Sequence, residues 1–304
     1  MRWIFRFFKL ILILVIAYGI GRFTVVYIDS LVVGERAPYF QQQSDHSIVV
    51  RWTTERHSLG VVRYGEDPAY LEFLAIEASP EKDHSVKLTG LKPDTRYYYK
   101  VGDIDGFIET DLSLHWFTTS PVPGSKKATR IWAIGDSGEP GEVATQVRDA
   151  MYQWVSQHPR EGRAPVDVWL ALGDNAYRSG SNDQFQAALF DAYPRLLRNT
   201  VLWPVYGNHD ARRWTYFRIF DLPEQAEAGG VASDTEHYYS FDYADVHFIV
   251  LDSQDGDTAA DSEMLDWLRR DLAENRRNWV IAAFHHPPYT KGSHDSDDVT
   301  DSGG

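Results

Sequence analysis

The chain has 304 residues, of which 43% are hydrophobic, and it includes 10 Trp, 17 Tyr and 15 Phe. This composition supplies a sizeable core and excludes a globally disordered chain. The formal net charge of −14 excludes a general nucleic-acid binder, because such proteins bind phosphates through Lys and Arg. There is no Cys, so disulfides, thiolate zinc sites and Cys nucleophiles are excluded as well.

The N-terminal segment 1–33 carries the features of an export signal. Three basic residues among the first nine precede the uncharged apolar run 10–20. This run is shorter than the ~20 residues that a spanning helix needs, which favours a cleaved signal peptide. Apolar residues resume at 23–28, which favours an uncleaved signal anchor with its N-terminus inside. We therefore predict an exported protein, held in the membrane through this hydrophobic helix or, if the segment is cleaved, secreted or periplasmic.

The segment 36–120 alternates between short apolar runs and turn residues. Strands at this spacing, with few helical segments between them, predict an all-β sandwich. Ahead of Tyr97, the stretch LTGLKPDTR resembles the approach to the tyrosine corner of a fibronectin type III-like domain. The histidines of this segment (His46, His57, His84 and His115) are predicted to be surface or edge residues. The predicted strands are 47–53, 59–64, 84–88, 97–101 and 115–118.

A linker rich in Pro, Gly, Ser and Lys at 121–129 precedes a different pattern. Near-continuous apolar runs in 130–304 predict strands that are buried on both faces. Two amphipathic helices are predicted between them, one over 143–155 and one capped by Ser262. The alternation predicts an α/β domain. The predicted strands are 130–134, 166–172, 201–206, 247–251 and 279–284.

A polar cluster follows four of these strands, at 135–138, 173–177, 207–210 and 284–289. A single Gly-Asp pair is weak evidence for a site, because turns and helix caps contain it as well. Four polar clusters, each at a strand end, are hard to explain as turns or caps. Ligands bind outside the carboxyl ends of strands in such sheets, so we expect the clusters to converge. A cation would offset the cost of gathering carboxylates there. Carboxylate, imidazole, amide and phenol ligands without sulfur suit Fe, Mn or Zn, and a shared carboxylate such as Asp174 is typical of two-metal sites.

The order Gly-Asp-x-Gly, Gly-Asp-x-x-Tyr, Gly-Asn-His-Asp and His before Pro resembles the calcineurin-like metallophosphoesterase superfamily. Within it, the chain resembles the purple acid phosphatases from about residue 36 onward. Gly138 stands where most neutral members have His, and Tyr177 stands where the purple enzymes supply a tyrosinate. A fibronectin-like domain ahead of the catalytic domain also fits this family.

Position by position, the resemblance implies a dinuclear centre of Fe(III) and a divalent ion, which is Fe, Mn or Zn. Asp136 and Tyr177 would bind the ferric ion, and Asp174 would bridge the two ions. Asn208 and His285 would hold the divalent ion. Outside the metal ligands, the resemblance implies two catalytic histidines.

His209 would contact the phosphate or the leaving group, with a structural imidazole as the alternative. His294 lies where the family has a substrate-facing histidine, and a mobile surface residue is its alternative. His286 and Asp252 are predicted to be structural, and Asp210 is predicted to orient His209 or its loop.

The implied reaction is hydrolysis of a small phosphomonoester at acidic pH. A trivalent metal lowers the pKa of bound water below the ~7 that zinc gives. Metal hydroxide would then attack phosphorus while an imidazolium protonates the leaving alkoxide. A phosphodiesterase or nucleotide hydrolase with the same metals is the alternative enzyme. The natural substrate and the oligomeric state stay open.

One departure from the family concerns its last motif, Gly-His-x-His, which supplies one histidine to each metal. The stretch Gly292-Ser293-His294 is not that motif, and no His follows it. We therefore expect an α/β domain that is truncated at its C-terminus, with weak metal binding and reduced or absent activity. A non-catalytic surface-binding protein is the alternative if the motif is missing from the complete gene product.

Overall fold

The computed structural model describes residues 2–31, 34, 36–212 and 214–291. The chain begins with helix α1 (Arg2–Leu31). Its segment Phe7–Ile28 is the only one in the described part of the chain that is long and apolar enough to cross a membrane. None of that segment is buried against the rest of the protein. A signal sequence has the same length and composition, so the helix fits either an anchor or a signal.

The next part of the described chain is a β-structure of two sheets. One sheet has the order β1-β2-β5, and the other has the order β4-β3-β6-β7, with β8 paired to β6. All neighbouring strands in both sheets are antiparallel. The strands are β1 (Tyr39–Gln41), β2 (Ser47–Ser58), β3 (Gly60–Gly65), β4 (Phe73–Ile76), β5 (Glu81–Thr89), β6 (Arg96–Asp103), β7 (Gly106–Phe107) and β8 (Trp116–Thr118).

Aromatic side chains fill the space between these two sheets. The ring of Phe40 lies 5.0 Å from that of Tyr99 and 5.2 Å from that of Phe117. The hydroxyl of Tyr97 accepts a hydrogen bond from the backbone N–H of Lys92 at 3.0 Å. The five strands expected here are all present, and the short strands β1, β4 and β7 were not predicted.

Of the histidines predicted to be surface or edge residues, His84 lies on the edge strand β5, but its side chain is fully buried. Its Nδ1 lies 2.7 Å from a carboxylate oxygen of Glu77, and its Nε2 lies 2.8 Å from the hydroxyl of Thr54. Its ring stacks on Trp52 at 4.6 Å. Since both ring nitrogens have partners, the polar side chain can be buried at little cost.

The second half of the described chain contains two more sheets. Strands β9, β10 and β11 are parallel, in the order β11-β10-β9. In the order β12-β13-β14, the first pair is antiparallel and the second parallel. The strands are β9 (Ile131–Ile134), β10 (Val168–Ala171), β11 (Leu202–Pro204), β12 (Tyr239–Tyr243), β13 (Val246–Val250) and β14 (Trp279–Ala283).

The helices of this half are α2 (Glu142–Gln157), α3 (Asn182–Phe185), α4 (Pro194–Leu197), α5 (Tyr216–Ile219) and α6 (Glu263–Glu274). A π-helical turn at Gln186–Phe190 follows α3, and a 3₁₀ turn forms at Asp210–Arg212. Helix α6 begins as predicted, because the hydroxyl of Ser262 accepts a hydrogen bond from the N–H of Leu265 at 3.3 Å. The two sheets pack through Trp203 and Phe241, whose rings stack at 3.7 Å.

The burial predicted for these strands is correct for β10, β11 and most of β13, and wrong for much of β9 and β14. All of β10 and β11 and most of β13 are buried. In β14, however, Trp279 is 68% exposed, and in β9 Ala133 is exposed. The apolar side chains of Val143 and Trp154 on α2 are exposed as well. Both β9 and β14 end their sheets, but β11 does so too and is buried, so the edge position alone does not determine the exposure.

The N-terminal sheets are bonded to the second half through β1 and β2. The hydroxyl of Tyr39 donates to the carbonyl of Ile219 at 2.7 Å. The guanidinium of Arg51 donates to the same carbonyl and to the carboxylate of Asp221, both at 2.9 Å. A second carboxylate, from Asp83, lies 3.0 Å from Arg51. These buried polar contacts fix the position of the two halves relative to each other.

Candidate metal centre

Four loops meet beyond the carboxyl ends of β9, β10, β11 and β14. Asp136 lies two residues after β9, Asp174 three residues after β10, and Asn208 four residues after β11. Because these three strands are parallel neighbours, their loops leave the sheet at the same edge. His285 follows β14 and comes from the other sheet. The predicted convergence of the polar clusters is therefore observed.

The backbone of the loops is shaped for close approach. Asp136 and Asp174 both have φ of 53°, a left-handed conformation that Asp tolerates better than most residues. A Cβ on Gly207 would lie 2.3 Å from the backbone nitrogen of Asp174. A Cβ on Gly138 would lie 2.4 Å from the nitrogen of Ala176, so there is no room for a larger side chain at this position. The glycines are thus required for the loops to touch.

The five predicted metal ligands form one connected cluster. Ligating atoms of Asp136, Asp174 and His285 all lie within 4.8 Å of one another. The hydroxyl of Tyr177 donates to Asp136 at 2.9 Å. The amide oxygen of Asn208 lies 3.2 Å from Nε2 of His285. Carboxylate, phenol, amide and imidazole groups therefore converge as one set of oxygen and nitrogen atoms that can coordinate a metal ion.

The hydrogen bonding of His285 indicates that this set fits a cation. Its Nδ1 lies 2.9 Å from the backbone carbonyl of Leu172, to which only an N–H can donate. In the neutral imidazole, Nε2 then carries a lone pair. That lone pair faces oxygens of Asn208 and Asp174, at 3.2 and 3.5 Å. Such an arrangement of lone pairs is favourable when a positive charge lies between them, and a backbone carbonyl on the other ring nitrogen is typical of metal-binding histidines.

The phenol of Tyr177 lies beside the carboxylates of this cluster. Burial and the neighbouring carboxylates of Asp136 and Asp174 raise the pKa of its phenol well above the usual value. The phenol therefore stays protonated beside these anions alone. Its ionisation requires a neighbouring positive charge, which a bound metal ion would supply.

His209 lies at the border of the cluster. Its backbone N–H donates to the carboxylate of Asp174 at 2.8 Å, and its Nδ1 lies 2.8 Å from the carbonyl of Arg178. Its Nε2 lies 3.8 Å from the other carboxylate oxygen of Asp174, and its ring packs on Tyr177 at 4.3 Å. The side chain is 21% exposed, so Nε2 is both near the cluster and reachable from solvent. His294 lies outside the described residues.

Asp210 holds two of the loops together. It is fully buried, and it accepts hydrogen bonds from the backbone and side-chain nitrogens of Asn175 at 3.0 and 2.9 Å. A third bond comes from the N–H of Gly207 at 3.2 Å. Asp210 thus positions the loop of His209, without a contact to its imidazole. The role of Asn175 was not predicted, although its place directly after Asp174 was a usable signal.

His286 and Asp252 have structural partners. Nδ1 of His286 lies 3.0 Å from the hydroxyl of Ser253, which also accepts the N–H of His286 at 3.0 Å. The carboxylate of Asp252 is fully buried and lies 2.6 Å from Nδ1 of His237. Neither residue belongs to the connected cluster of five.

Comparison with known families gives two matches. The family model described as calcineurin-like phosphoesterase matches residues 129–302. The model of the purple acid phosphatase N-terminal domain matches residues 38–122. Together the two matches confirm the resemblance inferred from the motifs.

Among curated proteins, purple acid phosphatase 15 of Arabidopsis thaliana is 26% identical over 276 residues, which cover 80% of this chain and 49% of the relative. Purple acid phosphatase 22 of the same plant is 28% identical over 275 residues, covering 83% and 57%. The chain thus spans about half the length of the curated relatives that it matches. A solved structure titled "Structure of PhoD" has a TM-score of 0.56 and 13% identity, covering 81% of this chain and 60% of that one, which indicates a similar fold.

Proposed function

Because the chain belongs to the calcineurin-like phosphoesterase family, we propose that it is a metal-dependent phosphatase of the acid phosphatase type. Its substrates in this proposal are small phosphomonoesters. The observation that carries the proposal is the cluster of Asp136, Asp174 and His285, whose ligating atoms lie within 4.8 Å of one another. The names of the curated relatives, which are purple acid phosphatases, support the same activity.

The proposed cofactor is a dinuclear centre of Fe(III) and divalent Fe, Mn or Zn. In this assignment Asp136 and Tyr177 hold the ferric ion, Asn208 and His285 hold the divalent ion, and Asp174 is shared. When bound, the pair supplies positive charge for phosphate and a nucleophile at low pH. The lone pair of Nε2 in His285 and the two acidic side chains support this assignment.

His209 is the proposed general acid. The carbonyl of Arg178 holds its Nδ1–H, so the ring cannot turn freely, and Nε2 faces the cluster. The nearer carboxylate oxygen of Asp174 lies 3.8 Å from this Nε2. An imidazolium in this position can transfer its proton to the departing alkoxide of a phosphomonoester. We assign His294 to contact with substrate on the basis of the family resemblance alone.

The remaining parts of the chain have supporting roles in this proposal. We assign 1–33 to a signal anchor, 36–120 to a fibronectin type III-like β-sandwich, 121–129 to a linker and 130–304 to the phosphoesterase domain. The bond from Lys92 to the hydroxyl of Tyr97 supports the sandwich assignment, because a tyrosine corner bonds to backbone a few residues upstream. The apolar segment Phe7–Ile28 supports the anchor.

The experiment that tests this function compares a monoester with a diester. The purified protein is loaded with iron and zinc and assayed with p-nitrophenyl phosphate and bis(p-nitrophenyl) phosphate between pH 4 and 8. We expect faster turnover of the monoester, with an optimum on the acidic side. Faster turnover of the diester would favour a phosphodiesterase, and a metal-loaded product of the complete gene without either activity would contradict the proposal.

A further inference from the structure

The C-terminal end of α1 contacts the loop that follows the proposed ligand Asn208. The ring of Trp214 lies 5.3 Å from that of Phe23 and 6.4 Å from that of Tyr27, in edge-to-face arrangements. Phe23 and Tyr27 stack on each other at 6.3 Å. Trp214 comes only six residues after Asn208. This aromatic cluster therefore joins the hydrophobic helix to the loop of the candidate site.

The position of the cluster along α1 corresponds to a membrane interface. The segment Phe7–Ile28 has 22 residues, or about 33 Å of helix, which matches a hydrocarbon core of about 30 Å. Phe23 and Tyr27 lie in the last six residues of that segment, within about 8 Å of its end. Trp and Tyr favour this depth, where one side of the ring is apolar and the other is hydrated.

The exposure of the same rings points to a partner that is apolar on one side. Trp214 is 47% exposed, although it packs on two aromatic side chains. Phe23 and Tyr27 are about half exposed as well. Large apolar surfaces that stay exposed in this way mark sites of protein or membrane contact. Their continuity with the exposed apolar surface of Phe7–Ile28 favours the membrane.

Positive charge lies beside the aromatic cluster. Arg22 and Arg212 line a cavity of about 640 Å³, whose wall includes the apolar side chains of Val25 and Val26 and the hydroxyl-bearing Ser179. No acidic residue lines this cavity among the described residues. Two guanidinium groups above an apolar wall complement the phosphate and upper acyl chain of a phospholipid. The patch is distinctive in a chain with a formal net charge of −14.

We propose that Arg22, Phe23, Tyr27, Arg212 and Trp214 form a docking surface for the outer leaflet of a lipid bilayer. Trp214 enters the interface, and the two arginines face lipid phosphate. This inference rests on the proposed signal anchor, and it goes beyond it by adding a second membrane contact from the phosphoesterase domain. The helix α1 alone would tether the domain without fixing its orientation.

The docking surface connects directly to the candidate site. The guanidinium of Arg212 donates to the carbonyl of Arg178 at 2.9 Å. Nδ1 of His209 lies 2.8 Å from the same carbonyl oxygen. Because one backbone carbonyl holds both side chains, docking of Arg212 at the bilayer keeps His209 and the cluster next to the membrane surface. The phosphoesters within reach are then those held at that surface or diffusing along it.

The absence of native Cys permits a direct test by single-cysteine labelling. The full chain carrying Trp214→Cys, labelled with a polarity-sensitive fluorophore, is reconstituted in vesicles of phosphatidylcholine with phosphatidylglycerol. Asp105→Cys, in the exposed turn between β6 and β7, is the matched aqueous control. Leu12→Cys, in the middle of α1, is the membrane control. We expect the label at 214 to be quenched by spin-labelled lipid and shielded from iodide, and the label at 105 to show the reverse.

A second label, at position 212, tests the docking surface without removing the tryptophan ring. Arg212→Cys leaves Trp214 intact, and we expect its label to respond to spin-labelled headgroups. Labels at 214 and 212 that are as accessible to iodide as the label at 105 would overturn the docking surface. A mature protein that begins after α1 would overturn it too. Turnover of a soluble aryl phosphate is measured in parallel. An active protein whose labels are hydrated refutes the docking surface alone. An inactive protein whose labels are shielded refutes the proposed phosphatase activity alone.

Discussion

Single residues determine whether the candidate site can form, and the glycines at the strand ends are the clearest case. A Cβ on Gly207 would lie 2.3 Å from the nitrogen of Asp174 and 2.5 Å from its Oδ1. Gly207→Ala must therefore displace the carboxylate that the proposed ions share. We expect a loss of stability of about 1–3 kcal/mol and weakened metal binding, measured by urea unfolding and metal titration.

Gly106→Ala serves as the control for this change, because a Cβ there meets nothing within 4 Å. The control variant should bind metal like the unchanged protein. Equal metal affinity in Gly207→Ala and Gly106→Ala would show that the contact with Asp174 has no role in the site.

His209 is the second residue whose role can be tested separately. The amide bond to Asp174 comes from the backbone, so His209→Ala preserves it while removing the proposed proton donor. We expect kcat for phosphomonoesters to fall by about 10²–10⁴-fold with unchanged metal content. His286→Ala, a neighbouring imidazole outside the cluster, should retain most activity. A loss of metal in His209→Ala would indicate a ligand or structural role instead.

The sequence alone was sufficient to select the polar residues that meet in the structure, but not the groups that orient them. Asp136, Asp174, Tyr177 and Asn208 follow predicted strands that share one sheet edge, where strand ends must converge. His285 also follows a predicted strand, but that strand lies in the other sheet, so its approach to the cluster was not determined by this rule. The backbone carbonyl of Leu172, which orients His285, could not be predicted from the sequence, because every residue has a carbonyl. The bonds from Asn175 to Asp210 depend likewise on how two loops meet in space.

At the scale of elements, a buried ion network links β12, β13 and α6. Nδ1 of His247 lies 2.8 Å from the carboxylate of Asp242, and its Nε2 lies 2.6 Å from that of Asp271. The hydroxyl of Ser240 donates to Asp271 at 2.8 Å, and Arg277 lies 3.4 Å from Asp242. An imidazolium can donate to both carboxylates at once, so the charged form suits this place.

This network should make the stability of the protein fall at alkaline pH. Burial alone would lower the pKa of His247, but hydrogen bonds and charge from Asp242 and Asp271 raise it to about 9. Since this pKa lies above the unfolded value of about 6.5, the stabilisation is fully present below pH 6.5 and is lost as the pH rises through 9. The shift corresponds to roughly 3 kcal/mol.

His247→Gln removes this titration, leaves Asp271 without a cation and leaves Asp242 with Arg277 alone. We expect it to lower the free energy of unfolding by about 3 kcal/mol at pH 6 and by less at pH 9.5, measured by urea unfolding at both values. A difference between variant and unchanged protein that does not depend on pH would contradict the assigned charge of His247.

Element positions were predictable where the hydrophobic pattern was strong. The ten predicted strands are all present, whereas β1, β4, β7 and β12 were missed. The three in the N-terminal sheets are only two to four residues long, and β12 contains Ser240 and Asp242 within an aromatic run. Burial at β9 and β14 was predicted wrongly, because an apolar run does not reveal how much of its strand other elements cover.

At the scale of the whole molecule, Arg51 couples the N-terminal sheets to the second half. Its guanidinium is buried and bonds to the carbonyl of Ile219 and the carboxylates of Asp83 and Asp221. Arg51→Gln leaves these acceptors without their cation. We expect a loss of about 3 kcal/mol or more in the free energy of unfolding, measured by denaturant titration.

The control for this change is Lys92→Gln, whose partner Glu66 is also at the surface. Because that ion pair is exposed, its removal should leave the unfolding transition almost unchanged. If Arg51→Gln were as mild as Lys92→Gln, the two halves would not depend on this contact for their stability.

The converging loops are expected to form a metal site, and a Zn²⁺ titration measures whether they do. The unchanged protein, Asp174→Asn and the control Glu139→Gln, an exposed acidic residue next to the first polar cluster, are compared under the same conditions. We predict saturable binding that weakens at least about 100-fold in Asp174→Asn, since outer partners alone contribute 10–100-fold, and that persists in Glu139→Gln. Equal affinity in all three proteins, or no binding by the unchanged protein, would contradict the claim.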